Sequence, residues 1–485
     1  MSEAFRAITE EEKDLEAFKT SFYAKNLIEA YAFFKEKISD TPIETLERMF
    51  DALIKKMLFS VVGLNDNRID PFSSFETINN RGKDLSTLEL LKNRLHFVAH
   101  KICDEGDLEN LQQEINDTYT RIYHDLRFFE DAHLESFLKH FVAYYYGENS
   151  KFKERLLDTA FDTHKKYDDL YDEYEKINDL LLYLSYSSKV WYFLHTLDDK
   201  ELRIEITPKM CGLLEKMRRL NALNDNAFLP LLLSLLTIQR AGKSANEQPY
   251  TAKELEGLLE CLERFGFLIY GVADGKNTAK NEWIELAFKA IQAYRFWEDK
   301  ITIEDLPTLE KNFFNRQGNS ALELLEESIL SKENAEKWYK WGKALNYLLY
   351  EYELHHNPET TLNFDGSIES IEHILPQNPN QGYSAKEKNW AKNPNIVHAL
   401  GNLLLIAKNA NSSLSNKPFD EKRKQYLKGS YSEKEVAKNA SFGVEQIKER
   451  SEKLLDFLIA HYRITELVDE SAIKAFKNAL LKDIK

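Results

Sequence analysis

Residues 368–430 read IESIEHILPQNPNQGYSAKEKNWAKNPNIVHALGNLLLIAKNANSSLSNKPFDEKRKQYLKGS. Two short β-prone apolar runs stand in this stretch. The first surrounds Glu372-His373 and closes at Ile374-Leu375-Pro376; the second, Leu403-Leu404-Leu405-Ile406, opens just after Asn402. Asn411 follows nine residues later, ahead of the helix-prone FDEKRKQYL. The order predicts a hairpin with a loop of about 25 residues, then a helix. Asn, Pro, Gly and Ser cluster across 357–420, so the helical rhythm that fills the rest of the chain stops here.

Outward from this island the pattern is helix after helix. Apolar residues recur at helical spacing in FKTSFYAKNLIEAYAFFKEKI and IETLERMFDALIKKMLFSVVGL, and the same rhythm runs from about residue 105 to about 350. Only 17 Gly and 11 Pro occur in 485 residues, about half the usual ~7 % and ~5 % shares. So few turn-formers exclude large β-sandwiches and propellers. The 29 Phe and 24 Tyr can fill sizeable cores.

Cys103, Cys211 and Cys261 lie far apart, without CxxC or Cys/His ligand spacing, so neither a zinc knuckle nor a disulfide framework is expected. The acidic start MSEAFRAITEEEKDLE has no apolar signal region. FLPLLLSLLTI, at 228–238, is too short for the roughly 20 residues of a membrane span. A soluble, cytoplasmic protein without a membrane partner is expected. Its net charge of -15 argues against indiscriminate nucleic-acid binding, but says nothing about one local patch.

Such a patch lies beside the island. Residues 381–430 hold nine Lys or Arg against three acids, a surplus of six positive charges. A phosphate backbone suits that field; the alternative is a solvated basic helix face. The island's residue types suit metal-assisted phosphodiester hydrolysis. A neutral His takes a proton from water, while one divalent ion polarises the phosphate. Glu372 and Asn411 supply hard oxygens of the kind Mg²⁺ prefers, and His373 titrates near neutrality unless perturbed.

Three strings then carry a resemblance. Glu372-His373-Ile374-Leu375-Pro376-Gln377, Leu400-Gly401-Asn402-Leu403-Leu404-Leu405, and Asn411-Ser412-Ser413-Leu414-Ser415-Asn416 with Phe419 and Lys422 follow one another in order. They are similar to the HNH endonuclease domain DUF1524, with its E-H-I-x-P-Q, L-G-N-L-x-L and N-S-x-L-S-N-x-x-F-x-x-K elements. The helix KALNYLLYEYE at 343–353 resembles the one that precedes the motif in that family. The resemblance implies His373 as general base and Asn402 holding the loop and orienting it, with Glu372 and Asn411 as ligands of Mg²⁺ or Mn²⁺. His398, Lys408, Asn416, Lys417, Lys422 and Arg423 become candidates for nucleic-acid contact.

A second segment, FETINNRGKDLSTLELLKNRL at 75–95, contains the capping box Ser86-x-x-Glu89 at a helix start. The preceding basic turn, with Arg81, Gly82 and Lys83, can hold an anion or can be a structural turn. This segment resembles the later motif of the DUF262 family, F-x-x-[LI]-N-x-R-G-x-x-L-S-x-x-[DE]-L-L-K-N. DUF262 joined to DUF1524 is the layout of GmrSD-like type IV restriction enzymes, which act on phage DNA, often modified. The DUF262 signature strings D-G-Q-Q-R and Q-R-x-x-x-W do not occur here, so no nucleotide binding is carried over.

Together these readings give a mainly α chain. Helical N-terminal and middle regions accompany a small ββα-metal (HNH) nuclease domain embedded in C-terminal helices. Residues 1–100 are expected to be a C-terminal remnant of DUF262, 101–335 a helical middle, and 336–485 the DUF1524 domain with its helices. The function expected is a metal-dependent HNH DNA endonuclease, the effector of a phage-restriction system. The alternative is a non-catalytic or partner-dependent helical subunit, the missing DUF262 half lying on a separate polypeptide. An RNA nuclease would use the same site chemistry.

Overall fold

A computed structural model of the chain describes residues 2–10, 14–58, 74, 85–148, 150–167, 169–198, 200, 202, 204–242, 248–331, 336–360, 362, 369–379 and 382–485. The basic turn with Arg81, Gly82 and Lys83 lies outside the described residues. The chain is mainly helical: among the described residues, strands β1 (Glu369–His373) and β2 (Leu403–Ala407) stand with more than twenty helices. It divides into two units that interleave along the sequence. One comprises 1–205, 229–250 and 284–300; the other comprises 206–228, 251–283 and 301–485.

In the first unit α1 (Thr87–Ile102), α2 (Glu105–Asp125), α3 (Asp131–Tyr146) and α4 (Leu170–Thr196) pack together, and α3 and α4 also pack on the apolar helix Leu229–Ala241. The capping box at the head of α1 forms as its sequence dictates. The Ser86 amide donates to the Glu89 carboxylate at 2.8 Å, and the Glu89 amide donates to Ser86 Oγ at 3.3 Å. Tyr144 and Tyr145 are buried against Phe141, as packing residues of α3. Among the described residues, no helix is long and apolar enough to cross a membrane.

In the second unit α5 (Pro208–Asn224), α6 (Ala252–Phe265) and α7 (Lys343–His356) precede the hairpin. β1 and β2 pair antiparallel, with Glu369 opposite Ala407 and His373 opposite Leu403. The intervening segment carries two short helices, where the sequence reading expected only a loop. One is α8 (Ala385–Ala391), started by a Ser384/Glu387 capping box; the other is Pro394–Val397, capped by Asn393 with Pro at its first position. After β2 come α9 (Lys408–Leu414), α10 (Phe419–Tyr426) and α11 (Val444–His461).

β2 is buried from Leu403 to Ile406 and packs against α7 and the helix Tyr431–Ala437, while α9 lies against both strands. Burial on both faces explains why β2 is a continuous apolar run instead of an alternating one. Just before it, Gly401 meets α11 so closely that a Cβ would overlap the carbonyl oxygen of Ile447 and lie 2.6 Å from the Ser451 amide nitrogen. Gly401 N–H donates to Ser451 Oγ at 2.8 Å. Arg450 donates to the carbonyls of Gly401 and Leu403 at 2.9 and 2.7 Å. Thus α11 grips the chain where it enters β2.

Candidate active site

His373 ends β1, and the chain turns immediately after it into Ile374-Leu375-Pro376. That turn is tied to the entry of β2 by Asn402, which is fully buried. Asn402 Oδ1 accepts from the Leu375 amide at 2.7 Å, and its Nδ2 donates to the carbonyls of Leu375 at 2.9 Å and Val397 at 2.7 Å. Its own carbonyl accepts from the Ile374 amide at 3.0 Å. One carboxamide therefore joins the segment after His373 to the segment before His398.

The two imidazoles meet as a consequence. His373 Nε2 lies 3.1 Å from His398 Nδ1, and the Tyr339 ring covers both, 4.9 Å from the His373 ring and 5.9 Å from that of His398. The Gln377 amide nitrogen is 3.4 Å from His373 Nδ1. Burial, then the neighbouring His398 and Lys422, pushes His373 down to about 3. The ring is neutral at physiological pH, which leaves it a lone pair to accept a proton.

Glu372 is placed differently. Successive strand residues point to opposite faces, and the Glu372 carboxylate is directed into the interior toward α10. Lys422 Nζ donates to its Oε1 at 2.5 Å, and the Tyr426 hydroxyl donates to the same oxygen at 3.1 Å. Burial raises the Glu372 carboxyl above its usual range and lowers the Lys422 ammonium; their mutual attraction opposes both shifts. Asn411 sits on α9, where its Nδ2 donates to Ser370 Oγ at 2.8 Å and the Ile371 carbonyl at 3.2 Å.

These placements test the expected metal ligands. An Mg²⁺ site needs several oxygens with room for water. The Glu372 carboxylate is instead compensated by an ammonium and closed in by a tyrosine, and the Asn411 amide is tied to β1 two to three residues before His373. Among the described residues, no group of three or more His, Cys, Asp and Glu stands together as a metal site. The arrangement does not fit a divalent ion held by Glu372.

The expected nucleic-acid contacts also separate. Lys408 and Lys417 are exposed, as are Lys386, Lys388, Lys392, Lys424 and Lys428. Asn416 is half-buried. Arg423 is half-buried and donates its Nε to the Ala437 carbonyl at 2.8 Å. His398 is in the histidine pair. Lys422, expected at the surface, is 0 % exposed and faces Glu372. It stands three residues after Phe419 and four before Tyr426, on the buried stripe of α10, so the helix turns its ammonium inward.

The sequence reading missed Tyr339, Gln377, Tyr426 and Arg450. Tyr426 had a visible signal, because it shares the helical stripe with Phe419. Tyr339 and Arg450 come from segments far from the island, and no local pattern marks them.

Residues 326–457 match the family model of the C-terminal domain of GmrSD restriction endonucleases. Every residue of the site described above lies inside that match. No curated protein matches the chain.

Proposed function

We propose that this protein is a DNA endonuclease of a restriction system, hydrolysing phosphodiester bonds at the His373–His398 pair. One observation carries the reading: a buried, neutral histidine at the end of β1, adjoining a second histidine, within the stretch that resembles a restriction-endonuclease domain. The order of the three HNH-like strings supports the HNH type. The exposed lysines of α8, α9 and the segments flanking α10 suit a phosphate backbone. Phage DNA, modified or not, is the substrate class that follows.

Each residue has a chemical task in this reading. His373 takes the proton of the attacking water as general base. In its buried state it is a weak base, and an anionic phosphate brought beside it raises its proton affinity. His398, 3.1 Å away, accepts a hydrogen bond from the protonated ring and so steadies it. Asn402 fixes the two segments that carry the rings. The resemblance implies Mg²⁺ or Mn²⁺, but the donor set does not fit one as arranged, and no step is assigned to it.

A second reading, a subunit that acts only with a partner, is favoured by the closure of the site. His373 and His398 are 7 % and 8 % exposed beneath Tyr339. The test is cleavage of supercoiled plasmid and phage DNA, with Mg²⁺ or Mn²⁺ against EDTA, comparing wild type with His373→Ala. Cutting that disappears in the variant supports the endonuclease. Cutting that persists in it sinks the assignment of His373, and no cutting by the folded wild type moves the weight to the partner-dependent subunit.

A further inference from the structure

Lys422 is the one cation of the basic stretch sealed from solvent. Its Nζ donates to Glu372 Oε1 at 2.5 Å, to the His373 carbonyl at 2.8 Å and to the Ile374 carbonyl at 3.2 Å. Three donated bonds use all three protons of an ammonium, whereas a neutral amine has only two to give. An ammonium at Lys422 thus finds an acceptor for each of its three protons despite its burial.

Two of those three acceptors are the peptide carbonyls of His373 and of the residue after it. The lysine thus binds the backbone on which His373 is carried, and Glu372 supplies the counter-charge. The Tyr426 hydroxyl takes the same carboxylate oxygen, and Glu372 is 4 % exposed. An ion pair out of water returns its desolvation cost only with good geometry and further hydrogen bonds. Both conditions are met here, at the strand end where the candidate base sits.

We infer that Glu372 and Lys422 form a permanent internal ion pair that seats the His373 peptide, with Lys422 a positioning residue and Glu372 not a ligand of a divalent ion. A cation already occupies Glu372 Oε1, an oxygen that an Mg²⁺ held by this carboxylate would compete for. The positioning role rests on the nuclease reading of His373; the pair itself does not.

The experiment uses the full chain and compares wild type, Glu372→Gln, Lys422→Met and the double variant. Mn²⁺ binding is read by electron paramagnetic resonance, stability by thermal melting, and the His373 ring by its imidazole NMR signals, with cleavage assayed alongside. Glu372→Gln is expected to leave Mn²⁺ binding as in wild type, whether that binding is tight, weak or nil. Lys422→Met, which orphans a buried carboxylate, is expected to lower the melting temperature by about 10 °C, and the double variant to regain most of that loss. Lys422→Met should also move the His373 ring signals while leaving those of His461 in place, which a contribution to stability alone would not do.

Loss of Mn²⁺ affinity by about tenfold or more in a folded Glu372→Gln would tie Glu372 to the ion, as a ligand or as the partner of one, and overturn the inference. So would independent, additive melting losses in the two single variants, because a pair must couple. If Lys422→Met does not fold, refolding in the double variant supports the pair, and its failure to refold overturns it. Wild type that cuts no DNA while the coupling persists defeats the proposed function but not the pair.

Discussion

His373 Nε2 and His398 Nδ1 lie 3.1 Å apart, so a single proton lies between two imidazole nitrogens. Two ring nitrogens at this distance cannot both carry hydrogens, and one ring must accept from the other. The other nitrogen of each ring, His373 Nδ1 and His398 Nε2, lies outside this bond. The pair's geometry is imposed from outside: Asn402 sets the spacing of the two segments, and the Tyr339 ring covers the pair.

Tyr339 is 38 % exposed, whereas the two histidines beneath it are nearly covered. Removing that ring should open the pair to reagents without disturbing the hairpin. Tyr339→Ala is expected to speed modification of His373 and His398 by diethyl pyrocarbonate several-fold, as read by peptide mass mapping. Equal rates in the variant and wild type would show that something other than this ring shields them.

The depressed His373 makes stability depend on pH with a definite sign. Above its ordinary value of 6.5 the ring is neutral, folded or unfolded, and contributes nothing. Between 6.5 and about 3 the unfolded chain holds a proton that the folded chain lacks. Stability therefore falls as pH falls through that window, by about 1.4 kcal/mol per pH unit for this one proton. His373→Asn should remove that component, so denaturant unfolding of variant and wild type should diverge only below pH 6.5. Parallel pH profiles would refute the assignment.

Asn402 gives a test of the loop clasp that does not depend on catalysis. Asn402→Ala leaves the Leu375 amide and two carbonyls without their partner at a fully buried position. About 3 kcal/mol of destabilisation follows, at roughly 1 kcal/mol per group. Asn402→Asp keeps the acceptor but points a carboxylate at two carbonyls, and should cost at least as much. Chemical denaturation giving a loss below about 1 kcal/mol for the alanine variant would mean that water replaces the clasp.

The hairpin was legible in the sequence because β2 is a continuous apolar run and Pro376 ends the first run. The helical remainder was legible from its periodicity and scarce Gly and Pro. The meeting of His398 with His373 was not, since it is set by Asn402 bridging segments 27 and 5 residues away. Lys422 was misplaced for a different reason. The run FDEKRKQYL was weighed by its total charge, whereas helical phase puts Lys422 between Phe419 and Tyr426 on the buried stripe. Counting charges reads the surface; only phase reveals which one turns inward.

A last consequence concerns a second buried carboxylate, Glu263 of α6. Its Oε1 accepts from the Tyr347 hydroxyl at 2.7 Å and the Tyr462 hydroxyl at 3.1 Å. Burial, then the charge of Glu351, pushes its carboxyl above the usual range. Burial also acts on Glu351, but the His461 and Lys216 contacts, at 3.6 and 2.5 Å, more than offset it and hold that carboxyl low. A carboxyl raised in the folded state retains its proton after the unfolded chain has lost it. Stability then declines as pH rises from 4.5 through the folded value, and the penalty is complete above that value. Glu263→Gln keeps a carbonyl oxygen for both tyrosines and removes the charge. It should stabilise the protein at neutral and alkaline pH, on the order of 1 kcal/mol, with the gain vanishing below pH 4.5. Melting curves across that range decide the matter, because a gain that persists in acid could not come from an ionised Glu263.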